Sequence, residues 1–286
     1  MNDIKSLTER AYECFKVEIK DNIANIILSR PDKANSMIRS FWGELPQIVR
    51  AIDDNALARV IVLTAEGKHF SSGMDLSVFS TGPDLSAHEI GSVRANIMET
   101  LSVLQQAFTC LEAARMPVLM AAHGACMGAT VDFASACDMR YCTSDAYFSI
   151  HEINIGMVAD LGTFPRLPYL IPHGLARELA YTGRRMLGEE AKSSGFVNQV
   201  FETVEELHRA VFAIAREIAN RSPLAVWGSK EMLNYGRDHS VVDSLRHMTL
   251  WQAGMFQDPD MIESFKALNE KRPGQFENLL PKISAL

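Results

Sequence analysis

Apolar residues change their period several times along the chain, and each change predicts an element. From Phe15 to Ser29 they alternate, in VEIK and again in IANIIL, around Asp21-Asn22. That pattern predicts two strands joined by a tight turn. A polar loop, RPDKANSM (30–37), follows. Phe41 to Asp54 has the longer period of an amphipathic helix, in which Pro46 is tolerable only near the first turn. RVIVLTA, Arg59 to Ala65, is continuously apolar and reads as a strand buried on both faces. Residues 77–92 are rich in loop formers and then turn helical. Val93 to Met116 predicts one long helix, and Pro117 forces an extended entry to the next strand.

The next stretch, 117–168, opens with a second buried strand, Val118 to Ala122. Small residues follow (Gly124, Ala125, Gly128 and Ala129), then a short apolar helix and a strand pattern, AYFSI. Leu175–Tyr181 and Leu187–Gly195 read as short helices. Residues 203–270 are almost wholly helical, with breaks at Ser222-Pro223 and Asp258-Pro259.

Three carboxylates, Asp132, Glu152 and Asp160, stand among residues whose pattern is that of a core. A buried carboxylate is costly unless paired, hydrogen-bonded or protonated. Each alone has a structural reading, as an acceptor for a local backbone donor or as the partner of an arginine. Asp160 can cap a helix starting near Gly162, and Asp138 can face Arg140 two residues on. Glu189 and Glu190 read as a solvated helix start. Three acids in one core segment still call for chemistry.

Composition narrows the choice. At 286 residues, with 47% hydrophobic and 22% charged, the chain can bury a large core as one domain or a domain with an extension. A net charge of −7 gives a nucleic-acid partner no electrostatic support, while leaving room for a local basic patch on an anionic ligand. Five cysteines without paired or metal-like spacing predict free thiols in a reducing compartment, with Cys137 and Cys142 in the core. His123, His151 and His173 share no ligand spacing, so no metal site is expected. No apolar run reaches membrane-spanning length. The amino-terminal MNDIKSLTER lacks a signal-peptide apolar region, and the carboxy-terminal SAL differs from a peroxisomal SKL; a cytoplasmic location is the expectation.

The segments FSSGMDL (70–76), AAHGACMGATVDFASACDMRYC (121–142) and HEINIGMVADLGTFPRLP (151–168) resemble the enoyl-CoA hydratase/isomerase, or crotonase, superfamily. Within it, Asp132, Glu152 and Asp160 together are most similar to the Δ3,5-Δ2,4-dienoyl-CoA isomerases. The resemblance spans about residues 15–270 and implies an α/β spiral of β-β-α units with a helical carboxy-terminal region. Residues 1–14 would be an extension, 15–202 the core, and 203–286 a region that builds trimers, often paired into hexamers.

The resemblance also implies roles. The Met74 and Ala129 amides would form an oxyanion hole. Lys33, Asn35, Ser71, Ser72, Gly73, Asp75, Leu76 and Gly128 would lie along the acyl-CoA, joined by Phe265 and Lys271, with Arg272 beside them. Residues 77–92 would shape the acyl pocket. Where Ala129 and Thr130 stand, the family usually has glycines. Glu152 would be the carboxylate near carbon 2, Asp160 the distal acid, and Asp132 a supporting group where hydratases carry a water-activating glutamate.

The chemistry agrees with those residue types. Removing the carbon-2 proton of an acyl thioester builds charge on the thioester oxygen, which two preorganised amides stabilise. Burial raises a carboxylate toward the working pH for that proton transfer. Charge delocalised over a diene allows an acid to return a proton at carbon 6. No cofactor beyond the CoA of the substrate is expected. The readings left open are hydration of 2-enoyl-CoA, other crotonase chemistry such as thioester hydrolysis, and a non-catalytic CoA- or RNA-binding homologue. Asp160 discriminates the first of these, because simple hydratases usually lack an acid there.

Overall fold

Asp21 and Asn22 both take positive φ, 52° and 61°. This is the two-residue turn that folds β1 (Phe15–Lys20) back on β2 (Ile23–Leu28), with Phe15 opposite Leu28 and Lys20 opposite Ile23. The computed structural model describes residues 2–80 and 88–283. The remaining strands are β3 (Val60–Ala65), β4 (Val118–Ala122), β5 (Ala125–Met127), β6 (Met139–Thr143), β7 (Tyr147–Ser149), β8 (Met186–Leu187) and β9 (Gln199–Phe201). They form two sheets: β1-β2-β3-β4-β6-β9, parallel from β2 onward, and the smaller β5-β7-β8.

Both faces of the larger sheet are covered. Ile61, Leu63, Val118 and Met120 face one core with the helices Phe41–Asp54, Ile90–Ala113 and Ala129–Ser135, where Phe41, Phe108 and Phe133 pack ring to ring at 5.3–6.3 Å. Val60, Val62, Leu119 and Ala121 face a second core with Leu207, Val211, Ala215 and Ala219 of the helix Val204–Ala219. This double burial is why β3 and β4 read as unbroken apolar runs. The first helix after residue 203 thus packs as part of the core, and at the other end Leu7 and Cys14 are buried in the first core.

The helix Phe41–Asp54 has the expected bounds, but Pro46 lies in its second turn, where it is buried on the core face. The long helix runs Ile90–Ala113, three residues earlier than its expected span at each end. The acyl-pocket expectation for residues 77–92 falls partly outside the described residues; within them Ser77–Ser80 forms a short helix. The carboxy-terminal region has a further break near Arg237–Ser240, giving helices Pro223–Gly236, Val241–Met255 and Asp258–Glu270.

Asp138 and Arg140 do not pair. Asp138 accepts from the Val118 amide at 2.7 Å and from the Lys230 ammonium at 2.8 Å. Arg140 instead donates to the backbone carbonyls of Phe196, Ala134 and Cys137. Two residues apart they would share a strand face, but Asp138 lies just before β6, which begins at Met139, so the strand does not direct its side chain toward Arg140. Buried Lys230, which also donates to the carbonyls of Leu111 and Met116, fixes the carboxy-terminal helices to the core. Among the described residues no helix is long and apolar enough to cross a membrane, and no three potential ligands converge on a metal position.

Candidate active site

The loop after β3 is held on two sides. The Ser71 amide donates to the Ala125 carbonyl at 3.1 Å, and the Met127 amide donates to the Ser71 carbonyl at 3.2 Å. On the other side the Ser72 amide donates to Ala34, Met37 to the Gly73 carbonyl, and Asp75 to the Met37 carbonyl, at 2.8–3.0 Å. This double ladder turns the Met74 N–H outward; among the described residues it has no acceptor. Gly73 has φ +83°, and a side chain there would collide with the Met127 carbonyl.

The second amide opens the helix Ala129–Ser135. The Gly128 amide donates to the Ser149 carbonyl and Val131 to Gly128, which leaves the Ala129 N–H as an orphan of the helix start, without an acceptor among the described residues. A Cβ on Gly73 would stand 3.4 Å from the Ala129 nitrogen, so the two donor loops touch backbone to backbone. Met74 and Ala129 line one cavity of about 530 Å³. Alanine in place of the usual glycine leaves the amide available.

The carboxylates divide. Glu152 enters the cavity wall from the 3-10 turn His151–Ile155, and Asp160 from the segment that follows, where the Met157 amide donates to the Glu152 carbonyl. Glu152 lies against the second donor loop: a Cβ on Gly128 (φ +53°) would be 3.1 Å from its Oε1. Its Oε2 is buried without a partner. Burial raises its pKa above the ordinary carboxylate value, and the charge of Asp160 adds to the rise. Burial also raises Asp160.

Asp132 is different. It is 1% exposed and outside the cavity wall. Its Oδ1 accepts from the Thr163 amide at 2.6 Å, capping the short helix Thr163–Arg166 that Asp160 was expected to cap. Its Oδ2 has no partner, and burial followed by the charge of Glu152 pushes its pKa up to about 7. The Asp160 backbone carbonyl is engaged instead by the Gln105 side chain at 2.7 Å.

Of the other candidate residues, Lys33, Ser72, Asp75, Leu76 and Gly128 line the cavity. Asp75 is held down at about 2 by hydrogen bonds from Ser77 and Ser36. Asn35 and Ser71 lie behind the wall. Buried Asn35 spends its side chain on the Arg30 amide and the Glu66 and His69 carbonyls, and the Ser71 hydroxyl donates to the Asn35 carbonyl while accepting from Gly73. Both therefore shape the donor loop from within, because loops carrying unpaired backbone groups need internal partners. Phe265 and Lys271 belong to the last helix and its cap, away from the cavity, and Arg272 is paired with Glu263 and Glu270. Ser36, Met127, His151, Ile155, Met157 and Leu161 also stand in the wall, outside the candidates read from the sequence. Their signal was position: all but Ser36 and Met127 fall within the segment that carries Glu152 and Asp160.

Residues 18–279 match the family model described as enoyl-CoA hydratase/isomerase. The chain is 39% identical to the mouse protein named Δ(3,5)-Δ(2,4)-dienoyl-CoA isomerase, mitochondrial, over 94% of this chain and 83% of that one. It is 37% identical to the Arabidopsis thaliana protein of the same activity, named peroxisomal, over 96% and 100%. A crystal structure of enoyl-CoA hydratase from Bacillus anthracis superimposes with a TM-score of 0.80 at 28% identity, covering 95% of this chain and 100% of that one. With its two unpaired amides on adjoining loops and its crotonase architecture, the chain belongs to the enoyl-CoA hydratase/isomerase family.

Proposed function

We propose that this chain isomerises 3,5-dienoyl-CoA to 2,4-dienoyl-CoA, as its relatives are named for doing. One observation carries the reading: two carboxyl groups, Glu152 and Asp160, share the wall of the cavity that the Met74 and Ala129 amides face. Glu152 adjoins Gly128 and so stands beside the thioester oxygen site, which suits the base for carbon 2. It takes a carbon-2 proton; that C–H electron pair becomes the C2=C3 bond, the C3=C4 pair moves to C4=C5, and the C5=C6 pair takes a proton from Asp160 at carbon 6. Negative charge passes through the thioester oxygen, where the two amides receive it. The shift consumes no water, metal or redox cofactor. Burial raises both carboxyls above the ordinary carboxylate value, the direction that suits a pair exchanging protons with substrate carbon.

Purified protein mixed with 3,5-octadienoyl-CoA should develop the absorbance of a conjugated 2,4-dienoyl thioester. Glu152→Gln and Asp160→Asn should each suppress it by at least about a hundredfold, as loss of general acid–base catalysis does. Consumption of crotonyl-CoA instead, indifferent to Asp160→Asn, would make the chain a hydratase; a crotonyl-CoA hydratase from Syntrophomonas wolfei is 30% identical over 93% of this chain.

We also infer a trimer or a pair of trimers. The helix Val241–Met255 buries none of its residues, and Val241, Val242, Leu245 and Leu250 are exposed by 57–76%. Apolar surface on that scale suits a subunit interface.

A further inference from the structure

The two amide donors sit on separate segments, Met74 on the loop after β3 and Ala129 at the start of a helix, and something must fix one against the other. The bridge between the segments covers Ser71 and Cys126, and its last backbone bond is that from the Met127 amide to the Ser71 carbonyl. Beyond Met127 the chain turns at Gly128, φ +53°, into the helix. A backbone ladder therefore ends two residues short of the amide that matters. One side chain continues it. Thr130, fully buried, donates its hydroxyl to the same Ser71 carbonyl at 3.2 Å.

We propose that Thr130 is a positioning residue that locks the Ala129 amide in register with the Met74 amide. The proposal rests on the reading of these amides as the oxyanion hole of an acyl-CoA enzyme. The geometry is that of a brace. The Ser71 carbonyl receives Met127 N–H from before the Gly128 turn and Thr130 O–H from after it. Ser71 itself is tied down by its hydroxyl, which donates to Asn35 and accepts from the Gly73 amide next to Met74. Rotation of the first helical turn would stretch the Thr130 bond first. Thr130 is absent from the cavity wall, so it acts on the reacting atoms only through Ala129. Oxyanion donors act through preorganised placement, so a small loss of placement reads out in kcat rather than in substrate affinity.

Thr130→Val keeps the shape and removes the hydroxyl; Thr130→Ser keeps the hydroxyl. With 3,5-octadienoyl-CoA, Thr130→Val should lower kcat about five- to tenfold, the scale of one hydrogen bond, with KM within about twofold. Thr130→Ser should recover most of that loss. A second readout needs no isomerisation: the infrared carbonyl band of bound hexanoyl-CoA, carbon-13 labelled at the thioester, should lie closer to its free position in Thr130→Val than in wild type. A Val variant with wild-type kcat and an unmoved band overturns the proposal. So does a loss confined to KM, or a Ser variant as impaired as Val. If Val does not fold, Thr130→Ala takes its place, and an Ala variant with wild-type kcat and band is equally fatal. Should wild type fail to isomerise dienoyl-CoA while the band still shifts on binding and relaxes in Val, the brace stands and only the isomerase reading falls.

Discussion

Asp132 should destabilise the fold as pH rises. Its carboxyl has an ordinary pKa of 3.8 and is pushed up to about 7 in the folded chain, mainly by burial. Between those values the native state holds a proton that the unfolded chain has released, so ν for the native state exceeds that for the unfolded and stability falls with increasing pH. The penalty begins near pH 4 and levels off above pH 7. At about 1.4 kcal/mol per unit, it amounts to about 2 kcal/mol at pH 5 and about 4 kcal/mol at pH 8. Asp132→Asn abolishes this titration. The amide oxygen still accepts the Thr163 N–H, while the new NH2 group in place of the unpartnered Oδ2 costs about 1–3 kcal/mol at every pH. That cost cancels when one protein is compared with itself across pH. The assay is thermal unfolding of wild type and variant at pH 5 and pH 8. Relative to wild type, the variant should gain 2–3 kcal/mol between them, or about 4 °C for a chain of this size. Glu152 and Asp160 add the same kind of pH dependence to both proteins and do not remove the difference. Parallel curves for the two proteins would refute the buried, proton-holding Asp132.

Gly128→Ala should keep the fold at a cost of about 1–3 kcal/mol for a Cβ at φ +53° and ψ −126°, outside the left-handed helical region. Because that Cβ would press within 3.1 Å of Glu152 Oε1, kcat should drop at least about tenfold, and wild-type turnover would show that Glu152 does not work from this position. Sedimentation velocity should give three or six times the 31.8 kDa chain mass, and a stable monomer would leave the exposed faces of Val241–Met255 unexplained.

The elements most legible in the sequence were those whose signal is local. The Asp21-Asn22 hairpin, the helix Phe41–Asp54 and the strand Val118–Ala122 lie at their expected places because turn chemistry, a steady period or an unbroken apolar run defines each. β5 and β8, three and two residues long, carry no such signal; their pairing with β7 exists only in three dimensions. The same holds in the site. Glu152 and Asp160 could be named from sequence because acids are conspicuous among apolar neighbours. That Asn35 and Ser71 face inward was invisible, since a polar residue in a Gly-containing loop looks alike whether it meets ligand or backbone. Proximity in sequence lets Asp138 face Arg140, whereas the cation it pairs with, Lys230, is 92 positions away.

Backbone context also explains why three acids so close in sequence cannot share one task. Asp132 projects from a helix into the core, where the orphan amide of Thr163 occupies one of its oxygens at 2.6 Å. A carboxylate so engaged and 1% exposed is badly placed to activate a water above the substrate, which is what hydration would ask of that position. Glu152 and Asp160 remain, with Glu152 on the turn His151–Ile155 against the amide loop and Asp160 eight residues further along, beyond that turn. Two acids at separate points of the wall that Met74 and Ala129 also line suit the proposed movement of a proton along a conjugated chain. Adding water across carbons 2 and 3 would need both acids near those two atoms. The withdrawal of Asp132 behind the wall thus argues for isomerisation as strongly as the presence of Asp160 in it.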